Sequence, residues 1–144
     1  MKCRTVVNPE VEEEVVIYAH AESSLTRAIS ELVRSADTAV VGYIDGEIVR
    51  LNYGEVECFF VEDGHVLAAI GDKRYRVRER LYELETVLGQ GFVKINQSCL
   101  VSVARISHFK ATVGGALCVV MRCGYKDYVS RRQLKAVKER LGIK

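Results

Sequence analysis

The stretch FVKINQSCLVSV, which runs from Phe92 to Val103, is apolar on both sides of a short polar interruption. Asn96, Gln97 and Ser98 form the interruption, and Lys94 stands just before it. Short apolar runs bounded by turn residues are typical of strands. The stretch therefore predicts two strands joined by a turn. It leaves open whether the polar side chains only close that turn or also bind a partner through hydrogen bonds.

Charge is distributed unevenly along the 144 residues. Residues 1–70 contain 5 Lys and Arg against 13 Asp and Glu, a net charge of −8, whereas residues 71–144 contain 16 against 6, a net charge of +10. A basic half of this kind indicates a surface that meets a polyanion. The alternative is that the two halves attract each other and their charges cancel locally.

The composition is that of a folded domain, because 49% of the residues are hydrophobic and only one is proline. No run of eighteen apolar residues occurs, so we expect no membrane insertion. The N-terminal residues lack the pattern of a secretion signal, which predicts a cytoplasmic protein. The sequence contains no phosphate-binding glycine loop and no paired catalytic carboxylates, so we expect no enzyme, no catalytic residue and no cofactor.

The cysteines and histidines also limit the possible functions. Their number is odd, no Cys-x-x-Cys occurs, and the three histidines are scattered, so we expect neither a disulfide framework nor a metal site. Cys99 and His108 could be read as a nucleophile and its base, but their spacing fits no catalytic pattern. Most of these thiols are expected to serve as small buried hydrophobes. The five are Cys3, Cys58, Cys99, Cys118 and Cys123.

The first fifty residues have the pattern of a small α/β unit. Residues 15–20, VVIYAH, predict a strand, and SSLTRAISELVRSAD after them predicts an amphipathic helix with Ser23 or Ser24 as its N-cap. In TAVVGYIDGEIVRL, Asp45 and Gly46 separate two apolar runs, which predicts a tight hairpin. We expect residues 1–46 to form an N-terminal unit for dimerisation or support.

From Glu55 onward, short strands alternate with tight turns. One turn is expected at residues 62–64, and RYRVRE after it alternates between apolar and basic residues, which predicts a strand with a basic, solvent-facing side. RLYELETVLG predicts a short helix that ends at Gly89. Further strands follow the opening stretch, with turns at residues 114–115 and near Gly124.

The chain closes on RRQLKAVKERLG, which predicts a helix that ends at Gly142. Ser130 and Gln133 have the spacing of a capping box, so Ser130 is the expected N-cap. Arg131 and Arg132 then occupy the first two helical positions, where the helix dipole favours negative charge. A bound anion would resolve this conflict. The alternative is a solvated cationic face, which Lys135 and Lys138 would share with Arg131.

The segment from about Glu47 to Lys144 resembles the LytTR DNA-binding domain family. That family has a Leu-rich short helix, then Phe-x-Arg-x-His-Arg-Ser-x-x-Val-Asn, two further strands, and Ser-Arg before a terminal helix. Here the corresponding stretches are RLYELETVLGQGFVKINQSCLVS and YVSRRQLKAVKERLGIK. Lys94 replaces the first Arg of the family pattern, Asn96 and Gln97 replace its His-Arg, and Ser102 replaces its Asn. The short standalone regulators of the family are the most similar in form.

The resemblance implies a mainly β fold with α-helices, a LytTR-like β-sandwich of short antiparallel strands over residues 47–144. It implies that loops bind DNA, with base-reading at Gly64 and His65, at Gln97 and at Arg132. It further implies that the loop of Asn96, Gln97 and Ser98 faces the DNA. Five residues would then lie close to phosphates: Lys94, Ser98, Ser130, Arg131 and Lys135.

We therefore expect a transcriptional regulator that binds double-stranded DNA, as a homodimer or a pair on direct repeats. A single-stranded nucleic-acid binder of the OB type is one alternative, but it needs exposed aromatic platforms, and we expect Phe92 and Phe109 to be buried. A protein–protein interaction module is another alternative, and its binding would survive high salt, unlike DNA binding.

Overall fold

The computed structural model describes residues 1–36 and 39–143. Asp37 and Thr38, which the predicted helix and hairpin stretches include, and Lys144 lie outside the described residues. The described chain is mainly β with three α-helices, as predicted. Its strands form a seven-stranded antiparallel sheet and a three-stranded sheet.

The N-terminal part contains one helix and one hairpin. α1 spans Ser24–Ala36, and the side chains of Ser23 and Thr26 bond each other's backbone N–H groups at 3.2 and 2.9 Å, which makes Ser23 the N-cap. β1 (Ala39–Ile44) and β2 (Glu47–Asn52) meet at Asp45 and Gly46, both with positive φ, as the predicted hairpin requires.

The predicted strand at residues 15–20 is wrong, because the segment forms no strand and its side chains are exposed. Its apolar pattern fits a strand, but a strand needs a neighbour for its backbone groups, and none of the described strands pairs with it. β1 instead inserts between β2 and β5 (Lys73–Val77), so the predicted boundary between residues 46 and 47 falls in the β1–β2 turn. That boundary stays a prediction.

The middle of the chain follows the expected alternation of strands and turns. β3 (Cys58–Glu62), β4 (His65–Ile70) and β5 (Lys73–Val77) are consecutive antiparallel neighbours. α2 (Leu81–Leu88) follows, and β6 (Phe92–Asn96) and β7 (Cys99–Ser102) complete the large sheet. The small sheet contains β8 (Ile106–Ala111), β9 (Leu117–Met121) and β10 (Lys126–Tyr128). The strand order is β2-β1-β5-β4-β3-β7-β6 across the large sheet and β10-β9-β8 across the small one. α3 spans Arg131–Leu141 and ends at Gly142, with φ of 68°.

Two hydrophobic clusters lie on opposite faces of the large sheet. One contains Phe59 and Phe92, whose ring centroids are 5.6 Å apart, and the leucines of α2. The other joins Phe60 and Ile95 to the small sheet and to Val137 of α3, which has no exposed surface. The second cluster covers only the β4-β3-β7-β6 part of its face. α3 and the small sheet are thereby fixed beside the turns that end β3 and β6.

Three of the cysteines are buried, as expected for small hydrophobes: Cys58, Cys99 and Cys118. Cys123 is half-buried and Cys3 is exposed. Over residues 1–36 and 39–143, no group of three or more His, Cys, Asp and Glu side chains is arranged to hold a metal ion. Among the described helices, none has the length and apolar character needed to cross a membrane.

Candidate nucleic-acid interface

The turn between β3 and β4 contains the first pair of predicted site residues. Asp63 and Gly64 have φ of 50° and 77°, the backbone of a tight hairpin turn that glycine adopts without strain. Gly64 and His65 are both exposed, and His65 pairs with Glu62 across the turn. The turn therefore projects the His65 imidazole at the end of the sheet.

The turn between β6 and β7 lies directly beside it. β7 pairs with β3, and the backbone N–H of Val61 donates to the carbonyl oxygen of Ser98 at 2.9 Å. Gln97 and Ser98 are exposed at the tip of this turn. Residues 37 or more positions apart in the sequence thus become neighbours through the β3–β7 pairing.

A β-bulge connects this turn to the start of α3. Lys94 pairs with Leu100 and Asn96 with Cys99, so Ile95 is the extra residue on β6. The Ile95 carbonyl oxygen accepts the backbone N–H of Ser130 at 2.8 Å. The bulge therefore fixes the N-terminus of α3 against the end of β6.

Asn96 strengthens the same connection. Its side-chain oxygen accepts the backbone N–H of Ser98 at 2.8 Å, and its amide nitrogen donates to the carbonyl oxygen of Tyr128 at 2.9 Å. One side chain thus shapes the turn and ties it to β10. Both ends of its amide group are engaged within the protein.

The start of α3 is strongly basic. Arg131 and Arg132 are exposed at its first two positions, Lys135 is exposed one turn further on, and the first turn contains no acidic residue. Ser130 is the N-cap residue, as predicted, but its side chain makes no capping hydrogen bond, so the predicted capping box does not form. The Gln133 backbone N–H instead bonds the carbonyl oxygen of Ser130 at 3.0 Å.

The three elements meet at one end of the large sheet, which we call the loop end and define as residues 63–65, 96–98 and 130–132. Among the predicted site residues, the loop end contains Gly64, His65, Asn96, Gln97, Ser98, Ser130, Arg131 and Arg132. Lys94 lies two residues before the β6–β7 turn and is half-buried between α2 and α3, while Lys135 lies on α3.

Two residues near the loop end were missed by the sequence reasoning. Tyr128 is 56% exposed beside Asn96, and Arg78 is exposed directly after Val77, which pairs with Val66, the residue that follows His65. The guanidinium carbon of Arg78 lies 4.7 Å from the centre of the Tyr43 ring. The alternation of RYRVRE indicates that Arg78 faces solvent. Its position near His65 depends on the pairing of β4 with β5, which no local pattern shows.

Comparison with known proteins identifies this architecture. The family model of the LytTr DNA-binding domain matches residues 46–142. Uncharacterized HTH-type transcriptional regulators of Staphylococcus aureus are similar over 99% of both chains, with 33% identity in strain NCTC 8325 and 32% in the bovine strain RF122. The LytTr DNA-binding domain of a Bacillus cereus protein, described as a methyl-accepting/DNA response regulator, covers 74% of this chain and 98% of its own, with a TM-score of 0.68 and 17% identity.

The label HTH-type in the names of these relatives does not describe the architecture seen here. In a helix-turn-helix, two helices follow each other across a short turn. α2 and α3 of this chain are separated by β6 to β10.

Proposed function

This chain belongs to the LytTr DNA-binding domain family and is a DNA-binding transcriptional regulator, and we propose that it reads duplex DNA with its loop end. The observation that carries the proposal is the convergence of two turns and a basic helix start, joined by hydrogen bonds of 2.8 to 2.9 Å. Loops held by a rigid sheet are well suited to recognition.

Base-reading is assigned to the Gly64–His65 turn, to Gln97 and to Arg132. The Gln97 amide can bond the N6 and N7 atoms of adenine together, and the planar guanidinium of Arg132 can bond O6 and N7 of guanine. Their exposure supports these roles, because base edges are reached only by side chains that project from the surface.

Phosphate contacts are assigned to residues that flank the base-reading ones. The Ser98 and Ser130 hydroxyls can donate to phosphate oxygens, and the first turn of α3 adds backbone N–H groups and the positive end of the helix dipole. Cations complete the set: Lys94, Arg131 and Lys135. Asn96 belongs to the same surface, but its two internal hydrogen bonds support a role in holding the turn rather than in touching DNA.

We further propose that the regulator acts in the cytoplasm as a homodimer, on paired or directly repeated sites. Two loop ends on one duplex would add their binding free energies and lengthen the sequence that is read. Neither catalysis nor a cofactor has a part in this proposal, because recognition needs only the hydrogen-bonding and charged groups named above.

The alternative of a single-stranded nucleic-acid binder is less well supported. Such proteins stack bases on exposed aromatic rings. Phe92 is buried against Phe59 and Phe109 is half-buried, so neither offers an open ring. Tyr128 offers one exposed ring beside the loop end, whereas successive bases need several rings to stack on. A protein–protein interaction module remains the other alternative. Its binding would survive high salt, whereas DNA binding would weaken.

Selection of bound sequences from a random duplex pool, followed by titration at several salt concentrations, tests the proposal. Enrichment of a defined motif is expected. If about four to eight phosphates are neutralised, log K should fall with log salt at a slope of roughly −4 to −7. If log K does not change with salt, or if no motif is enriched from the pool, sequence-specific binding of duplex DNA is excluded.

A further inference from the structure

Over the part of the chain that the structure describes, one half of the large sheet has a basic face that the hydrophobic clusters leave uncovered. On β1, β2 and β5, the face that continues the second hydrophobic cluster is not packed by the small sheet or by α3. We call it the arginine face, and its members are Val41, Tyr43, Ile48, Arg50, Arg74, Arg76 and Arg78.

The strand registers define the arginine face. Ile48 pairs with Tyr43, Tyr43 with Arg76, and Arg76 with Leu67, so these side chains form one row across the sheet. The row then continues through Phe60, where Tyr125 of the turn between β9 and β10 stacks at 4.5 Å. The same row is therefore covered at one end and open at the other, where Ile48 is 72% exposed.

The apolar members of the arginine face are not expected on a surface that binds only DNA. Val41 and Ile48 are exposed aliphatic side chains between the arginines, and Arg78 stacks on Tyr43. Phosphates would contact the arginines but would leave the aliphatic groups without a partner. A peptide segment with both acidic and apolar residues would satisfy both.

The outer edge of β2 adds a second reason to expect a peptide. β2 is the last strand of the sheet, and among the described strands only β1 pairs with it. Because Ile44 and Glu47 close a two-residue hairpin, Ile48 and Arg50 direct their backbone N–H and C=O groups away from β1. An open edge without proline or bulge readily accepts another strand.

The N-terminal segment of the chain has the complementary chemistry. Residues 10–18 read EVEEEVVIY, with four glutamates and several strand-forming side chains. In the single chain this segment forms no strand, and Tyr18 is 94% exposed. In an extended strand, Glu12, Glu14, Val16 and Tyr18 would share one face.

We propose that residues 12–18 of a second copy of this chain add as a strand to the outer edge of β2 and cover the arginine face. Two chains would exchange these segments, with glutamates opposite arginines and Val16 near Ile48. This inference deepens the homodimer of the proposed function and rests on it.

Two charge-reversed variants test the exchange without DNA. Chain one carries Arg50→Glu and Arg76→Glu, and chain two carries Glu12→Lys and Glu14→Lys. The matched control for chain one carries Lys110→Glu and Arg122→Glu, the same charge change at exposed positions of the small sheet region. Molar mass is measured by light scattering on the full-length chains, and thermal melts establish that each variant folds.

The parent and the control are expected to be dimers, and each variant alone is expected to weaken dimerisation at least tenfold. Mixing the two variants should restore a dimer, because both exchanged contacts then pair opposite charges. A monomeric parent, dimers of unchanged strength in both variants, or no recovery on mixing would overturn the proposal. Duplex binding by a monomeric parent would leave the DNA proposal intact, so the two failures are distinguishable.

Discussion

The amide nitrogen of Asn96 donates a 2.9 Å hydrogen bond to the carbonyl oxygen of Tyr128, 32 positions further along the chain. The same side chain accepts the Ser98 backbone N–H at 2.8 Å. One residue thus holds the β6–β7 turn in shape and fixes it to the strand that leads into α3.

Asn96→Ala is expected to destabilise the protein, because it removes both hydrogen bonds. At roughly 0.5–1.5 kcal/mol for each bond, the free energy of unfolding should fall by about 1–3 kcal/mol. Urea unfolding measures this loss, and Gln97→Ala, whose side chain is exposed at the tip of the same turn, is the control. An Asn96→Ala protein as stable as the parent that had lost its base preference would instead mean that Asn96 reads DNA directly.

Gln97→Ala is expected to relax the preference at one base position, at a cost of about 1–3 kcal/mol on the selected site. The amide has no charge, so the slope of log K against log salt should be nearly unchanged. Titrations on selected and scrambled duplexes measure both quantities. Equal weakening of binding to the two duplexes would mean that Gln97 only forms the turn and reads no base.

Gly42→Ala is expected to destabilise the large sheet. A Cβ atom at Gly42 would lie 2.7 Å from Cδ1 of Leu51 and 2.9 Å from Cβ of Tyr75, both too close. Overpacking of this kind costs about 1–3 kcal/mol, which exceeds the usual gain from replacing a strand glycine. The expected result is a lower unfolding midpoint.

Gly91→Ala is the matched control, since a Cβ atom there meets nothing within 4 Å. A Gly42→Ala protein as stable as this control would mean that β1 packs loosely on the domain. That outcome would favour the boundary predicted between residues 46 and 47, whereas the expected loss would favour a domain that includes β1.

Alkylation of the cysteines should follow their burial. A side-chain hydrogen bond with Cys99 and burial raise the pKa of the Cys58 thiol, so its reactive thiolate is scarce at neutral pH. Cys3 is exposed and should react first, whereas Cys58 and Cys99 should react only after unfolding. Peptide mapping after timed labelling measures the order, and rapid labelling of Cys58 in the folded protein would contradict its burial.

Local sequence chemistry predicted the hairpins and helices because their signals lie within a few residues. Asp45 and Gly46 adopt the positive φ values that a tight hairpin requires, and Gly142 ends α3 in the left-handed conformation. The strand predicted at residues 15–20 failed for a non-local reason. Its apolar residues suit a strand, but in the single chain none of the described strands pairs with it.

The grouping of the site could be expected only from the family resemblance. The residues of the loop end come from three separate parts of the chain, and their meeting depends on the β3–β7 pairing and on the bulge at Ile95. The bond from Asn96 to Tyr128 and the position of Arg78 near His65 also depend on contacts between residues that are distant in the sequence. No local pattern indicates these contacts.

Arg132→Ala, compared with Lys138→Ala, tests the central claim that the start of α3 reads bases at the loop end. Arg132 is exposed at the second position of α3, whereas Lys138 is half-buried in its last turn, where the helix dipole favours a cation. Lys138→Ala should therefore weaken binding mildly and equally on all duplexes. Arg132→Lys should restore little specificity, because a lysine cannot bond two guanine atoms in the same geometry.

The most direct measurement is the affinity of Arg132→Ala for the selected duplex and for its scrambled version, with thermal melts to verify folding. We predict a loss of about 1–3 kcal/mol on the selected duplex, a relaxed preference at one base position, and a fold as stable as the parent. An Arg132→Ala protein that binds both duplexes as the parent does, or that fails to fold, would contradict the account.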